Sequence, residues 1–188
     1  MESKYKWNRK HQERISQLEV PKPNDRLKGF SLYLNGGTAL DIACGLGGNS
    51  LFLATRNYQV QAIDISDVAI HYLKEQATKQ KLAIDPQVRD LTTANQLLRK
   101  KGPFDLVIIT YYLDRTIYPL IKNILNKDGY FYMETYYQSP MQQVQGVSNQ
   151  YKLQPQELLK EFADWNIIFF EENEHEGRQT LFCKKISQ

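Results

Sequence analysis

The chain has 188 residues, 41% of them hydrophobic and 24% charged, with a net charge of +3. That is one domain's worth of chain with an ordinary globular composition, which excludes a disordered, coiled-coil or fibrous protein. No apolar run approaches the roughly 18 residues of a membrane span, and the charged, aromatic amino terminus offers no apolar stretch for a signal peptide. A single domain over residues 1–188, cytoplasmic and without a membrane partner, is therefore expected. Cys44 and Cys183 sit inside apolar, strand-like runs and read as reduced core thiols. His11, His71 and His175 lack metal-ligand spacing, so no metal site is expected. The basic residues are spread along the chain, and the local excess near the amino terminus and around Arg99 to Lys101 hints at nucleic acid, but a dedicated binder shows a concentrated basic face, so nucleic acid is not the expected partner.

Apolar runs alternate with helical patterns, which predicts an α/β fold on a mostly parallel sheet. A basic amphipathic segment, Trp7 to Leu18, leads into an extended or turned stretch at Pro21 to Pro23. A buried strand, Thr38 to Ala43, runs through a glycine turn, Gly45 to Gly48, into a helix from Asn49 to Arg56. The second strand, Val60 to Ile65, precedes a helix from Asp67 to Leu82, with Ala69, Tyr72, Leu73, Gln76 and Ala77 on one face; Asp67 is the expected cap and Ser66 its rival. A third strand, Gln87 to Asp90, is followed by a helix ending at Lys101 and a strongly apolar strand, Phe104 to Thr110. Ile117, Leu120, Ile121, Ile124 and Leu125 recur at helical spacing, and Asp128-Gly129 turns the chain into a strand from Tyr130 to Thr135. The stretch from Tyr136 to Leu153 has no periodicity and is too long for an ordinary connection, so it reads as a functional loop. A helix from Pro155 to Ala163 leads to two apolar runs, Trp165 to Phe170 and Gln179 to Lys184, predicted to pair as an antiparallel hairpin. Phe162 and Trp165 are assigned to the core.

The segment Ala39-Leu40-Asp41-Ile42-Ala43-Cys44-Gly45-Leu46-Gly47-Gly48-Asn49-Ser50 is a buried strand that runs into glycines and then a helix start. Glycines there let the backbone turn sharply and let a ligand approach it with no side chain between. The next strand ends at Asp64, 17 residues beyond Gly47, where a carboxylate accepts hydrogen bonds from both hydroxyls of a ribose. A nucleoside-bearing cofactor is predicted. A pyrophosphate site uses Gly-x-Gly-x-x-Gly, whereas the sixth position here is Ser50. Asp41, just before the glycines, would repel a pyrophosphate and welcome a cation. Both features weigh against a dinucleotide.

These residues resemble the class I S-adenosylmethionine-dependent methyltransferases. Asp41 to Gly47 matches the family's first motif, Asp64 its acidic end of the second strand, Arg89-Asp90-Leu91 its adenine-flanking motif, and Phe104 to Tyr112 its fourth strand and exit loop. The likeness covers residues 36 to 135 well and continues more weakly to the end. It implies a three-layer Rossmann-like sandwich with a seven-stranded sheet in the order 3-2-1-4-5-7-6 and strand seven antiparallel. Trp7 to Arg14, Leu113-Asp114-Arg115 and Tyr132-Met133-Glu134-Thr135 are similar to the small-molecule group that includes tellurite-resistance proteins. By that resemblance Asp41, Gly45 and Gly47 would meet the cofactor's amino-acid end and Arg14 its carboxylate, with Ala43 and Asn49 also among the cofactor contacts. Asp64 would hold the ribose, Ile65, Asp90 and Leu91 the adenine, and Thr110 would complete the set. S-adenosylmethionine would be the cofactor and S-adenosylhomocysteine the product, with residues 1–30 a covering segment and 136–154 a substrate loop.

Methyl transfer from a sulfonium is an in-line displacement whose leaving group is already activated, so positioning and desolvation supply much of the acceleration. A soft acceptor such as a thiolate needs no general base. For other acceptors Tyr111, Tyr112 and His11 are the candidate catalytic groups, with Asp114 and Tyr136 as further candidate bases; Trp7, Tyr111, Tyr112, Arg115 and Tyr136 are the expected substrate contacts. The chain has Thr110-Tyr111-Tyr112-Leu113 where amino-group methylases of nucleic acids carry Asn/Asp-Pro-Pro-Tyr, so a small-molecule acceptor is favoured. The competing readings are an RNA or protein methyltransferase, a non-catalytic cofactor-binding module and an NAD(P)-dependent oxidoreductase. Oligomeric state has no signature in the sequence.

Overall fold

The alternating apolar runs become the strands of a seven-stranded sheet whose order, with the strands numbered along the chain, is 3-2-1-4-5-7-6. The computed structural model describes residues 2–91, 102–141 and 146–186. The chain divides into two compact units, Met1–Leu97 and Leu98–Gln188, taken here in turn.

The first unit comprises α1 (Glu2–Ser16), α2 (Asp25–Gly29), β1 (Gly37–Ile42), α3 (Gly48–Ala54), β2 (Tyr58–Asp64), α4 (Asp67–Gln80) and β3 (Ile84–Val88). β2 runs parallel to β1 on one side and to β3 on the other. Ala39 to Ile42 are fully enclosed, as expected of a parallel strand covered on both faces. α4 buries Ala69, Ile70, Leu73 and Ala77; Ile70 joins the expected stripe, and Tyr72 and Gln76 flank it half-buried. Its cap is Ser66, whose hydroxyl accepts the Ala69 N–H at 3.1 Å. Asp67, the expected cap, instead meets α1 through Lys4 Nζ at 2.8 Å and the Asn8 amide at 2.7 Å. The third strand starts three residues earlier than expected and ends two earlier, with Pro86 inside it. Proline, which has no N–H to donate, is tolerated there because β3 is an edge strand. The helix expected to end at Lys101 falls outside the described residues.

The second unit comprises β4 (Phe104–Thr110), α5 (Tyr118–Ile124), β5 (Leu125–Tyr136), α6 (Glu157–Glu161), β6 (Asn166–Asn173) and β7 (Arg178–Lys184). β4 has the predicted bounds and pairs parallel with β5, while β7 runs antiparallel to β5 and to β6. Asp128-Gly129 does not precede β5 but lies within it. The strand leaves α5 directly, and the extra residues are absorbed where the register jumps between Phe104 opposite Leu125 and Leu106 opposite Tyr130. α6 is shorter than predicted because Gln156, at φ +59°, sits in a left-handed conformation that interrupts it on the N-terminal side. Phe162 is fully buried, with ring centroids of Phe131, Trp165 and Tyr118 at 4.8, 5.2 and 5.7 Å. The ends of the 136–153 loop are stitched by the Leu153 N–H on Tyr136 O and the Gln138 N–H on Leu153 O, both at 2.9 Å. Among the described residues no helix is long and apolar enough to cross a membrane.

Ser66 both caps α4 and donates to Asn8 Oδ1 at 2.7 Å, so Ser66→Ala is expected to cost about 1–2 kcal/mol in urea unfolding. Asp67→Ala, which removes exposed pairs only, is expected to cost less than about 1 kcal/mol. The reverse ranking would restore Asp67 as the cap.

Candidate functional site

In the first unit the turn after β1 is held in left-handed conformations at Ala43 (φ +57°), Gly45 (+52°) and Gly47 (+83°). A methyl group on Gly47 would stand 2.3 Å from Leu73 Cδ1, and one on Gly48 2.3 Å from the Lys22 carbonyl oxygen. Packing excludes a side chain at both, and at Gly47 the left-handed backbone does so as well. Gly45 is different, because its nearest obstacle would be the edge of His11, with Cε1 at 3.2 Å. Asp64 ties this turn to the start of α4: one carboxylate oxygen accepts the Gly45 N–H at 2.9 Å and the other the Ser66 N–H at 2.8 Å.

Asp41 is 1% exposed. Its Oδ2 accepts the Ser50 hydroxyl at 2.6 Å, while its Oδ1 is buried with no hydrogen-bond partner. Burial, reinforced by the nearby Asp64 charge and opposed by Ser50, pushes its carboxyl up to about 7. An enclosed carboxylate oxygen without a donor is costly, and the missing partner is a donor, best a cationic one. Beside it the Cys44 thiol is pushed well up by burial and by Asp41 and Asp64, which makes it inert rather than nucleophilic.

α1 brings further predicted residues to this turn. His11 is buried and its Nδ1 also lacks a partner; burial lowers its basicity, Asp64 works against that, and Arg14 and Lys10 add to it. Trp7 stacks on His11 with ring centroids 5.9 Å apart, and Lys10 Nζ lies 4.9 Å over the indole. Arg14 is turned to Glu19, at 2.6 Å. Asn49 accepts the Asn24 N–H at 2.8 Å. Ile65 is half-buried at the end of β2; past β3, Asp90 is exposed and Leu91 buried. The residues present thus fit a nucleoside with a cationic amino-acid end: a carboxylate with an unmet oxygen, a glycine faced only by the His11 side chain and an acidic strand end. Among the described residues no cluster of His, Cys, Asp and Glu could hold a metal ion.

In the second unit Thr110 and Tyr112 are half-buried and flank Tyr111, which is 44% exposed. Tyr111 has φ +55°, a conformation that costs a bulky residue roughly 1–3 kcal/mol and persists only where its surroundings enforce it. Its phenol donates to Glu134 Oε1 at 3.0 Å and accepts from Arg178 Nη1 at 2.5 Å. Burial and the Glu134 charge push that phenol up to about 12. The Tyr136 ring lies 5.5 Å from it. Arg115, an expected substrate contact, is engaged by Glu157 at 2.7 and 2.8 Å and by the Lys152 carbonyl at 3.1 Å, which clamps the end of the 136–153 loop. Asp114 accepts the Thr116 N–H at 2.9 Å and caps a short turn.

Sequence reasoning missed Glu134 and Arg178 as site residues. Glu134 is fully buried and also accepts from Thr180 at 2.9 Å and Arg178 at 3.3 Å, and Arg178 donates on to Glu176. The signal for Glu134 was available: a carboxylate directly after the apolar run Phe131 to Met133, inside the predicted strand Tyr130 to Thr135, has to be paired or functional.

A crystal structure of TehB from Haemophilus influenzae superposes with a TM-score of 0.74 at 20% identity, covering 86% of this chain and 62% of that one. Magnesium protoporphyrin IX methyltransferase from Synechocystis PCC 6803, solved with bound S-adenosylhomocysteine, superposes at 0.70 with 13% identity, covering 97% and 98%. At these identities the likeness is one of fold, and it carries the strand order with β7 reversed. A probable S-adenosyl-L-methionine-dependent methyltransferase TehB of Haemophilus influenzae strain 10810 is 32% identical over 96 residues, which are 48% of this chain and 33% of that protein. The match therefore spans about a third of that relative's length. The family model of the tellurite resistance protein TehB matches residues 1–181, and on that match the chain belongs to the TehB family.

Proposed function

We propose that the chain is an S-adenosylmethionine-dependent methyltransferase, one methyltransferase domain that acts on a small, soft acceptor. The observation that carries this is the buried, unpartnered Oδ1 of Asp41 beside a glycine turn held in left-handed conformations and covered by His11. Asp41, with the backbone of Ala43, Gly45 and Gly47, holds the ammonium end of the cofactor. Asp64 uses one lone pair of each oxygen on Gly45 and Ser66, and an ionised carboxylate has others left for ribose hydroxyls. Ile65, Asp90 and Leu91 line the adenine, and Arg14 reaches the carboxylate by leaving Glu19. When bound, S-adenosylmethionine supplies a methyl group on a sulfonium that needs no further activation.

The acceptor side is assigned to Tyr111, Tyr112 and Tyr136. A phenol held near pKa 12 keeps its proton at neutral pH, so Tyr111 orients rather than deprotonates. That suits an acceptor that is already nucleophilic without an enzyme base: a thiolate, whose proton has gone to solvent before transfer, or tellurite, to which the family's description names resistance. Formation of S-adenosylhomocysteine with 2-mercaptoethanol or with tellurite is the expected outcome; none with either would contradict this acceptor class.

The raised carboxyl of Asp41 gives a pH signature. Its folded value of about 7 exceeds the unfolded one, so its contribution to stability is full below about pH 4 and is lost as pH rises through 7. A cationic ligand demands the ionised form, so binding below pH 7 releases a proton. Calorimetric affinity for S-adenosylmethionine is expected to fall by up to about tenfold per pH unit below 7. In Asp41→Asn it is expected to be weaker and flat with pH; an equally steep dependence in that variant would remove Asp41 from the site. Asp64→Ala is expected to weaken binding by about 1–3 kcal/mol, and unchanged affinity would release Asp64 from the ribose.

A further inference from the structure

Glu134 holds Tyr111 at both ends. Its main-chain oxygen accepts the Tyr111 N–H at 2.8 Å, and its carboxylate accepts the phenol at 3.0 Å. The residue so held has a φ of +55°, and strained residues that their surroundings over-determine gather at functional sites. Glu134 is itself fixed in register, opposite Thr110 of β4 and Thr180 of β7. It lies near the carboxyl end of β5, the edge of an α/β sheet at which ligands bind. Tyr111 follows the last residue of β4 at the same edge, and Arg178, opposite Tyr136 in β7, completes the group.

We propose that Glu134 is a positioning residue for methyl transfer: through both its carbonyl and its carboxylate it sets Tyr111 at the end of β4 to contact the acceptor. This rests on the methyltransferase reading above. The direction of the hydrogen bonds defines the role. The phenol gives its hydrogen to Glu134 and takes one from Arg178 at 2.5 Å, so its ring plane and reach are set before any acceptor arrives. Glu134 is enclosed and does not touch the acceptor; its carboxylate is engaged by Tyr111, Arg178 and Thr180. A carboxylate present only for its charge beside Arg178 would act equally well whatever residue stood at 111. A positioning carboxylate acts through Tyr111 alone.

The test compares the wild-type chain with Glu134→Gln, Tyr111→Phe and the double variant. Release of S-adenosylhomocysteine is measured with 2-mercaptoethanol and with tellurite, together with the ionisation of Tyr111 by nuclear magnetic resonance of ring-labelled tyrosine. Each single variant is expected to lower kcat at least tenfold with KM for S-adenosylmethionine within twofold, and the double variant is expected to be no slower than Tyr111→Phe. Tyr111 is expected to ionise at lower pH in Glu134→Gln, because the neighbouring negative charge is gone. Should Glu134→Gln fail to fold, Glu134→Asp serves, since it keeps the charge beside Arg178 and draws the carboxylate back from the phenol. Multiplying effects on kcat, an unmoved Tyr111 ionisation, or full activity in the Glu134 variant would overturn the inference alone. No product from the wild-type chain with either acceptor would overturn the acceptor reading and the inference with it.

Discussion

The carboxylate of Asp64 is the joint on which the first unit is assembled. By accepting the Gly45 and Ser66 N–H groups it fixes the glycine turn after β1 relative to the start of α4. Ser66 in turn caps α4 and donates to Asn8, and Asn8 with Lys4 docks α1 through Asp67. His11 is thereby laid against Gly45. One strand-end residue thus sets the turn, the helix that follows it and the helix that covers it. In β1, just before that turn, Asp41 is enclosed with one oxygen unmet, and the proposed chemistry of the site follows from that oxygen.

The alternation of strands and helices, the closing hairpin and the glycine turn were legible from residue patterns, whereas the strand order with β7 reversed was legible only through the resemblance to the methyltransferases. Long apolar runs such as Phe104 to Thr110 fit only a strand covered on both faces, and two runs joined by a short polar turn fit only a hairpin. Boundaries were less legible where tertiary structure overrides local chemistry. Pro86 is accepted because an edge strand needs no donor there, and Asp128-Gly129 is absorbed as an irregularity within β5. Ser66 displaced Asp67 as cap because Asn8 and Lys4, some 60 residues away in sequence, claim the Asp67 carboxylate.

The candidate site divides in the same way. Asp41, Gly45 and Asp64 declare themselves by type and spacing, since strand, glycine turn and acidic strand end are close in sequence. Glu134 and Arg178 do not, because their meaning arises only when β4, β5 and β7 bring Thr110, Glu134 and Thr180 into register. Arg115 shows the converse: its residue type suggests an anchor for substrate, yet Glu157 satisfies its guanidinium with two hydrogen bonds.

The central claim is that the glycine turn and its two carboxylates recognise a sulfonium nucleoside. The most direct test is the melting temperature of the chain with S-adenosylmethionine, S-adenosylhomocysteine, NAD and NADH at equal concentration. A ligand at 100 times its Kd adds about 2.7 kcal/mol, a clearly measurable upward shift, and the account predicts it for the two sulfur nucleosides alone. A shift with a nicotinamide cofactor, or none with either sulfur nucleoside, would contradict it.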